Sequence, residues 1–543
     1  MSRSHEVAMN GARSLFKSLV DAGVTTCFAN PGTSEMQLVY EIGLTDAIRP
    51  ILCLQEDVVT GAADGYGRMK GTPAVALLHV ACGFGNGVAM LQNAARANTP
   101  IVNVVGVNAS YHQANFPEHE LVNGRVSDIA RVVSHWCGEA RSASHLGELG
   151  VEAAALAKTG KVCTIVAPND RHWEEAVPPP TPPPPAGRPR AAAEAIERAA
   201  ELLANGKKTG LVLGGLALQG EALELAGRIA ARTGAVLLAE TFPSRYLSRG
   251  EGRPPVDLIP YELEIGIKYL ESYQQLVFLG ARLPVATFAY KDKPTLKSAP
   301  GCELFTPASE DQDLETALRS LAEAVDALGT PPIRQARTPA SASPSGELTA
   351  DAIGRTLSEL MPADAILVDE AATNAAPIQA ATRGARPHDY LNPATGGAIG
   401  GGLPMALGAA VACPGRKVVA VQADGSGMYT VHALWSMARE NADVVVVVLK
   451  NDAYAILGLE MARVREGELN AKMRSMLELG DPALDWVALA KGLGVPASRA
   501  GTAEEFHRQF AAAIAEKGPR LIECQVAVPK ELLALEEVLH QQR

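Results

Sequence analysis

VVAVQADGSGMYTVHALWSMARENADVVVVVLKND (418–452) is the stretch whose reading decides the fold. An apolar, β-branched run ends at Asp424, a Gly425-Ser426-Gly427 turn opens a helical segment over 432–440, and a second apolar run over 444–450 ends at Asn451. Short buried strands joined by a helix imply parallel pairing in one sheet. The same alternation extends outward. TTCFAN (25–30), AVALLHV (74–80), IVNVVGV (101–107) and VCTIVAP (162–168) read as strands near the start, and GLVLGG (210–215), AVLLAE (235–240) and QLVFLGA (275–281) in the middle. AILVDE (365–370) and RLIECQV (520–526) flank the opening stretch. PPPTPPPPAGRP (178–189) cannot continue a helix or a central strand, and TPPIRQARTPASASPSGE (330–347) interrupts the apolar periodicity. The expectation is an α/β protein of three doubly wound parallel-sheet domains, over 1–177, 190–330 and 348–543. Ligands of such sheets bind beyond the carboxyl ends of the strands, so the strand-end loops are where chemistry is sought.

Composition narrows the function classes. A chain of 543 residues is too long for one core and fits about three domains. The net charge of −11 argues against a binder of nucleic acid or of a membrane surface. With 47% hydrophobic and 20% charged residues it can bury large cores, and its 50 Gly and 36 Pro point to tight turns rather than disorder. Eight scattered cysteines form no C-x-x-C pair, which fits a reducing cytoplasm and neither a zinc site nor a disulfide framework. The segment MSRSHEVAMNGARSLFKSLV (1–20) lacks the apolar run of a signal peptide, and no stretch is long and apolar enough for a membrane span.

If the two strands of the opening stretch are neighbours, the Asp424 carboxylate and the Asn451 amide emerge side by side, 27 positions apart in sequence. With a backbone carbonyl they suit a hard cation such as magnesium, which takes oxygen ligands and shares them with phosphates. Each half alone is equally an ordinary turn or strand terminus. Together they are similar to the metal-binding motif of the thiamine-diphosphate-dependent 2-oxo acid decarboxylase and carboligase family, with Ala423 where the first glycine is usual. The resemblance implies that Asp424, Asn451 and the backbone of Ala453 hold magnesium, and that Gly425 and Ser426 contact the diphosphate. TGGAIGGGLPMALGAA (395–410) resembles the segment that seats the aminopyrimidine, with a backbone contact from Gly397 and Ile399 as the apolar wedge. EAATN (370–374) reads as a diphosphate-side loop, with Thr373 and Asn374 as polar contacts.

In the first segment, Glu56, Ala63, Gly65, Tyr66 and Arg68 are similar to the family's first-domain pattern. Read alone, Glu56 is an acid at a helix N-terminus, favoured by the macrodipole. The resemblance makes it the carboxylate that activates the cofactor by proton exchange with the pyrimidine ring. It further implies a pyrimidine-binding first domain, a central domain and a diphosphate-binding last domain. The glutamate and the metal motif of one site then come from different chains of a homodimer, commonly paired into tetramers. By the same resemblance the expected substrate is a 2-oxo acid, which loses carbon dioxide and is released as an aldehyde or joined to a second carbonyl compound.

FANPGTSEMQLV (28–39) resembles the substrate-facing loop of benzoylformate decarboxylases and acetolactate synthases, with Thr33 where the former have serine. LLHVACGFGNGVAMLQNA (77–94) matches the histidine-bearing segment of the decarboxylases, which makes His79 the active-site histidine. Acetolactate synthases have a different sequence there. The decarboxylases' second histidine has no counterpart in LGARLPVATFAYKD (279–292), where Phe288 and Tyr290 lie instead. Leu457 and Glu460 fall where the family lines its substrate pocket, and an unpaired carboxylate at 460 disfavours an anionic or purely aromatic substrate tail. His112, Gln113 and His119 occupy a polar loop that can reach the same pocket. Two other readings stay open: an acetolactate synthase-like carboligase, with a structural flavin at GLVLGGLALQG (210–220), and a catalytically silent cofactor-binding regulatory protein.

Overall fold

The computed structural model describes residues 8–184, 187–339, 343–464 and 469–527. The first seven residues of the segment read against a signal peptide, parts of both expected linkers (185–186 and 340–342) and the end of the third expected domain (528–543) lie outside the described residues.

Three sheets carry the fold. The first contains β1 (Thr26–Ala29), β2 (Arg49–Leu52), β3 (Ala74–His79), β4 (Ile101–Val107), β5 (Trp136–Glu139) and β6 (Val162–Pro168). Its order is β2-β1-β3-β4-β6-β5, and every neighbouring pair is parallel. The second takes β7 (Thr209–Leu213) and β8 (Val236–Ala239), then, past β9 (Leu247–Arg249), β10 (Asp257–Leu258), β11 (Gln275–Leu279) and β12 (Glu303–Ala308). It is parallel in the order β10-β8-β7-β11-β12. The third comprises β13 (Ala365–Glu370), β14 (His388–Leu391), β15 (Val418–Ala423), β16 (Val444–Lys450), β17 (Ala497–Ala500) and β18 (Arg520–Gln525). Its order is β17-β18-β16-β15-β13-β14-β9, parallel except for β9, which runs antiparallel to β14. The α/β architecture with three parallel sheets is therefore as expected. The strands read in the sequence are the buried, apolar ones; β2, β5, β9, β10, β12, β14 and β17, each of two to six residues, were not among them. β4, β6 and β16 are buried along their whole length, as strands covered on both faces must be, which is why they read as unbroken apolar runs.

In each sheet the chain leaves its first strand to one side and returns on the other. Crevices therefore open between β1 and β3, between β7 and β11, and between β13 and β15. The chain forms two compact units. One contains Met1–Ala186, Ala394–Pro414 and Thr430–Ala442; the other contains Gly187–Pro393, Gly415–Tyr429 and Asp443–Arg543. Within the first, the helix Glu56–Lys70 packs on the helix Gly402–Ala412 at very short range. A Cβ added at Gly65 would meet the Met405 carbonyl oxygen at 2.2 Å, and one at Gly408 would meet that of Ala62 at 1.9 Å. Within the second unit, one apolar cluster runs from Ile196 through Val421 to Val526 and serves both of its sheets. Among the described residues, no helix is long and apolar enough to cross a membrane.

Candidate active site

The crevice between β1 and β3 gathers the chemistry of the first unit. Glu56 opens the helix Glu56–Lys70, whose N-cap Gln55 accepts the Asp57 N–H at 2.5 Å. Its buried carboxylate is held by two amides: Asn30 donates to Oε1 at 3.0 Å and Asn86 to Oε2 at 3.0 Å. Asn30 follows β1, and Asn86 ends the helix Val80–Asn86, so three elements converge on one carboxylate. Burial pushes the adjacent Asp57 up to about 6, a rise opposed by a backbone hydrogen bond from Met90 and reinforced by the charge of Glu56.

His79 ends β3 and caps the helix Val80–Asn86. Val80 there has φ of +41°, a left-handed conformation costly for a β-branched residue. The ring Nδ1 lies 2.7 Å from Glu35 Oε2 and 3.1 Å from the Ser34 hydroxyl. The short helical turn Thr33–Glu35 places Ser34 and Glu35 inward and leaves Thr33 exposed. The hydroxyl beside His79 is therefore that of Ser34 rather than of Thr33. Of the loop histidines, His119 reaches the His79 ring, with centroids 5.4 Å apart; His112 is exposed, and the Gln113 amide is turned back onto the Asn108 carbonyl at 2.9 Å.

The glycine-rich segment belongs to the same unit, and Asn93 shapes it. The Asn93 side chain accepts the N–H groups of Gly396 (3.0 Å) and Ala398 (3.1 Å) and donates to the Ala398 carbonyl (2.8 Å). Below it, a buried Arg68 pairs through two bonds with Asp64 (2.8 and 2.7 Å) and donates to Thr395 (2.9 Å). Gly397 takes φ of +89°, and Ile399 stays 40% exposed, as an apolar side chain kept out of the core for another occupant would be.

In the second unit, β15 and β16 pair with Ala423 opposite Leu449, so Asp424 and Asn451 do leave adjacent strand ends. Asp424 is 1% exposed and accepts the N–H groups of Gly425 and Asp452, both at 2.9 Å. Burial raises its pKa, which a divalent cation would counter. Asn451 Oδ1 accepts the Ala453 N–H at 3.1 Å. Ala423 sits at φ −71° and ψ 144°, ordinary extended backbone, so the missing glycine brings no strain. The glycine that the turn does need is Gly425, where a Cβ would meet the Tyr454 ring at 2.6 Å. Gln422 donates to both the Ser426 hydroxyl (2.7 Å) and Glu370 (3.0 Å), which fixes the turn against the end of β13. Across the β13–β15 crevice, Thr373 is half-buried, and the buried Asn374 leaves its Oδ1 without a protein partner. No group of three or more His, Cys, Asp or Glu that could hold a metal occurs among the described residues. A carboxylate, an amide and a carbonyl are all hard oxygen donors that suit magnesium, and an unpaired buried amide oxygen fits a site that expects a further polar occupant.

Leu457 is 44% exposed on the helix Ala455–Ala462. Glu460, on the same helix, is not an unpaired charge. It accepts the Tyr290 hydroxyl at 3.0 Å and lies 3.4 Å from Arg463, which is bound through two 2.6 Å bonds to Glu264 and covers the Tyr290 ring at 4.1 Å. The condition that would disfavour an anionic or aromatic tail is therefore not met.

At the β7–β11 crevice the glycines are closely packed. A Cβ at Gly214 would meet the Gly280 carbonyl oxygen at 2.3 Å, and one at Gly215 would meet Glu310 at 2.8 Å. Beyond the strand ends, Arg282 binds Glu240 at 2.8 Å and Ser244 binds Glu310 at 2.6 Å.

Reasoning from sequence did not single out Asn30, Ser34, Glu35, Asn86, Asn93 or Gln422. All but Gln422 lie inside the FANPGTSEMQLV and LLHVACGFGNGVAMLQNA segments, and Gln422 lies two residues before Asp424, so proximity to a motif was their one available signal.

Residues 9–128 match the N-terminal TPP binding domain of thiamine pyrophosphate enzymes, and residues 373–524 match the C-terminal TPP binding domain. A Mycobacterium tuberculosis protein named "Putative acetolactate synthase large subunit" is 41% identical over 526 residues, 96% of this chain and 99% of its own. Benzoylformate decarboxylase of Pseudomonas aeruginosa is 29% identical over 535 residues, 92% of this chain and 96% of that one. Among solved structures, the thiamine diphosphate-dependent 4-hydroxybenzoylformate decarboxylase of Rhodococcus jostii RHA1 matches with a TM-score of 0.82 at 25% identity, covering 96% of this chain and 100% of that chain.

Proposed function

Because the chain belongs to the thiamine pyrophosphate enzyme family, we propose that it decarboxylates a 2-oxo acid with thiamine diphosphate and magnesium, and can join the product to an acceptor aldehyde or ketone. The observation that carries this reading is the pairing of β15 with β16, which sets Asp424 beside Asn451, in a chain that also holds a buried, amide-clamped Glu56. Asp424, Asn451 and the Ala453 carbonyl hold magnesium. Gly425 and Ser426 contact the diphosphate, Ser426 through its backbone N–H, since the Gly425 N–H is taken by Asp424 and the Ser426 hydroxyl is engaged by Gln422. Thr373 and Asn374 contact the diphosphate from the other side of the crevice. Thiamine diphosphate, when bound, supplies the electron sink that cleavage of a carbon–carbon bond beside a carbonyl requires.

Glu56 holds and returns a proton at its carboxylate, whose direction the amides of Asn30 and Asn86 fix. Gly397 offers its carbonyl and Ile399 its apolar side chain to the ring system. His79 orients the substrate or moves a proton at Nε2, with Leu457, Glu460, His112, Gln113 and Thr33 around the same pocket. We assign Glu56 and the metal side chains of one site to different chains of a homodimer, paired into a tetramer. The 1–177, 190–330 and 348–543 segments are assigned as the pyrimidine-binding, central and diphosphate-binding domains. Eight free cysteines support a reducing cytoplasm as the compartment. No step is assigned to a flavin.

An acetolactate synthase-like carboligation is the second reading, favoured by the name of the 41% identical relative. Carbon dioxide release from a panel of 2-oxo acids, with thiamine diphosphate and magnesium, tests both readings when wild type is compared with Glu56→Ala. No release from any substrate, with no cofactor-dependent rise in melting temperature, sinks the proposal. An aldehyde as sole product supports decarboxylation; an acetohydroxy acid or other 2-hydroxy ketone supports carboligation.

A further inference from the structure

We infer that Glu35 is the positioning residue of His79: its carboxylate fixes the imidazole with Nδ1–H turned inward and Nε2 left as the working nitrogen. The inference rests on the function proposed above. Glu35 is fully buried, yet its carboxylate receives three donors from nearby. The Gly32 N–H donates to Oε2 at 2.8 Å, the Ser34 hydroxyl to Oε1 at 2.6 Å, and His79 Nδ1 stands 2.7 Å from Oε2. A lone buried carboxylate is costly, so such convergence is the mark of an arranged group.

Two glycines on other elements make room for the pair. Gly106 is the penultimate residue of β4, a position glycine weakens in a strand, and is the register partner of His79. A Cβ at Gly106 would meet Glu35 Oε1 at 2.0 Å, and one at Gly32 would meet the His79 ring at 2.4 Å. The strained backbone at Val80 turns the chain directly after His79. Three segments thus accept local costs for one contact between residues 44 apart in sequence.

Chemically, a carboxylate on Nδ1 selects the tautomer and stabilises the imidazolium. His79 is partly exposed, and its Nε2 takes no hydrogen bond among the described residues. The proton that leaves Nε2 for the substrate carbon or oxygen returns from water, while Glu35 keeps its charge and Nδ1 its hydrogen. Glu35 and His119 are the titratable groups in contact with the ring. Burial pushes the Glu35 carboxyl above its usual range, opposed by the Ser34 hydroxyl, the charge of His79 and the Gly32 N–H.

The test compares Glu35→Gln, Glu35→Asp, His79→Ala and the double variant Glu35→Gln/His79→Ala in the assembled, cofactor-loaded enzyme. Glu35→Gln is expected to lower kcat by about 100-fold, with KM and the cofactor-dependent melting shift kept. Glu35→Asp should recover part of the loss, and the double variant should be no slower than His79→Ala. Gly106→Ala, which displaces the carboxylate without removing it, should reproduce the kcat loss if Glu35→Gln does not fold. A Glu35→Gln enzyme with wild-type kcat, or losses that multiply in the double variant, overturns the assignment alone. Absence of carbon dioxide release from the wild type overturns the functional reading and this assignment with it.

Discussion

Asp424 carries a buried carboxylate whose hydrogen bonds come from backbone N–H groups alone, and its neighbours explain what the turn tolerates. Ala423 already occupies extended backbone, so Ala423→Gly, which restores the usual family glycine, should not improve magnesium-dependent cofactor binding. It should cost about 0.5–1 kcal/mol through the freedom glycine gains in the unfolded chain, measurable by denaturant titration. Gly425→Ala is expected to behave oppositely. Its Cβ would press on Tyr454 at 2.6 Å, so cofactor-dependent stabilisation at saturating magnesium should fall at least several-fold in affinity. The strand-end and helix-start positions of Asp424, Asn451 and Glu56, on which the proposed site rests, were legible in the sequence because each stands in a spaced motif. Glu35 was not, because its partner lies across a crevice that only the strand order creates, and Ser34 was passed over for Thr33 because the twist of a three-residue turn decides which hydroxyl faces inward.

At the scale of elements, the helix pair Glu56–Lys70 and Gly402–Ala412 determines how firmly Glu56 is held. The contact depends on the absence of side chains at Gly65 and Gly408. Gly408→Ala should therefore force the helices apart and destabilise the protein by about 1–3 kcal/mol, read as a lower melting temperature in the absence of cofactor. In the loop that carries Gly397 and Ile399, the Asn93 side chain holds both backbone groups of Ala398 and the N–H of Gly396, beside the anchors from Arg68 and Thr430. Asn93→Leu is expected to leave that loop's N–H groups unpaired and raise the apparent Kd for thiamine diphosphate more than about 10-fold, checked by fluorescence titration of the apoprotein. A sequence shows the glycines and the asparagine but not which helix they face. The pairing of segments more than 300 residues apart is a property of the folded unit.

At the scale of the whole molecule, two buried histidines make stability depend on pH. Burial lowers the pKa of His172 to about 4, against a hydrogen bond to the Ala167 carbonyl, and that of His388 to about 3, with Arg249 adding to the fall. Both pKa values lie below that of the unfolded chain, so the unfolded state binds more protons as pH drops. The stabilisation is complete above about 6.5 and is lost down to the folded pKa. For His172 the loss is roughly 3 kcal/mol, and His172→Gln should flatten that part of a plot of stability against pH. Assembly has its own test. If each site takes Glu56 from one chain and Asp424 from another, mixing Glu56→Ala and Asp424→Ala chains at random should restore about a quarter of wild-type activity, since each hybrid dimer holds one intact site. No recovery would place both groups of a site on one chain. By itself the sequence determined the parallel α/β architecture, the strand-end loops and the side-chain types of the proposed metal ligands, because periodicity and short motifs are local properties of the chain. The tertiary structure alone decided which loops meet: the clamps on Glu56, the pairing of Glu35 with His79, the pairing of Glu460 with Tyr290 and Arg463, and the side-chain pairs beyond the strand ends of the middle sheet. Those contacts follow from strand order and helix packing, which join residues that no local pattern relates.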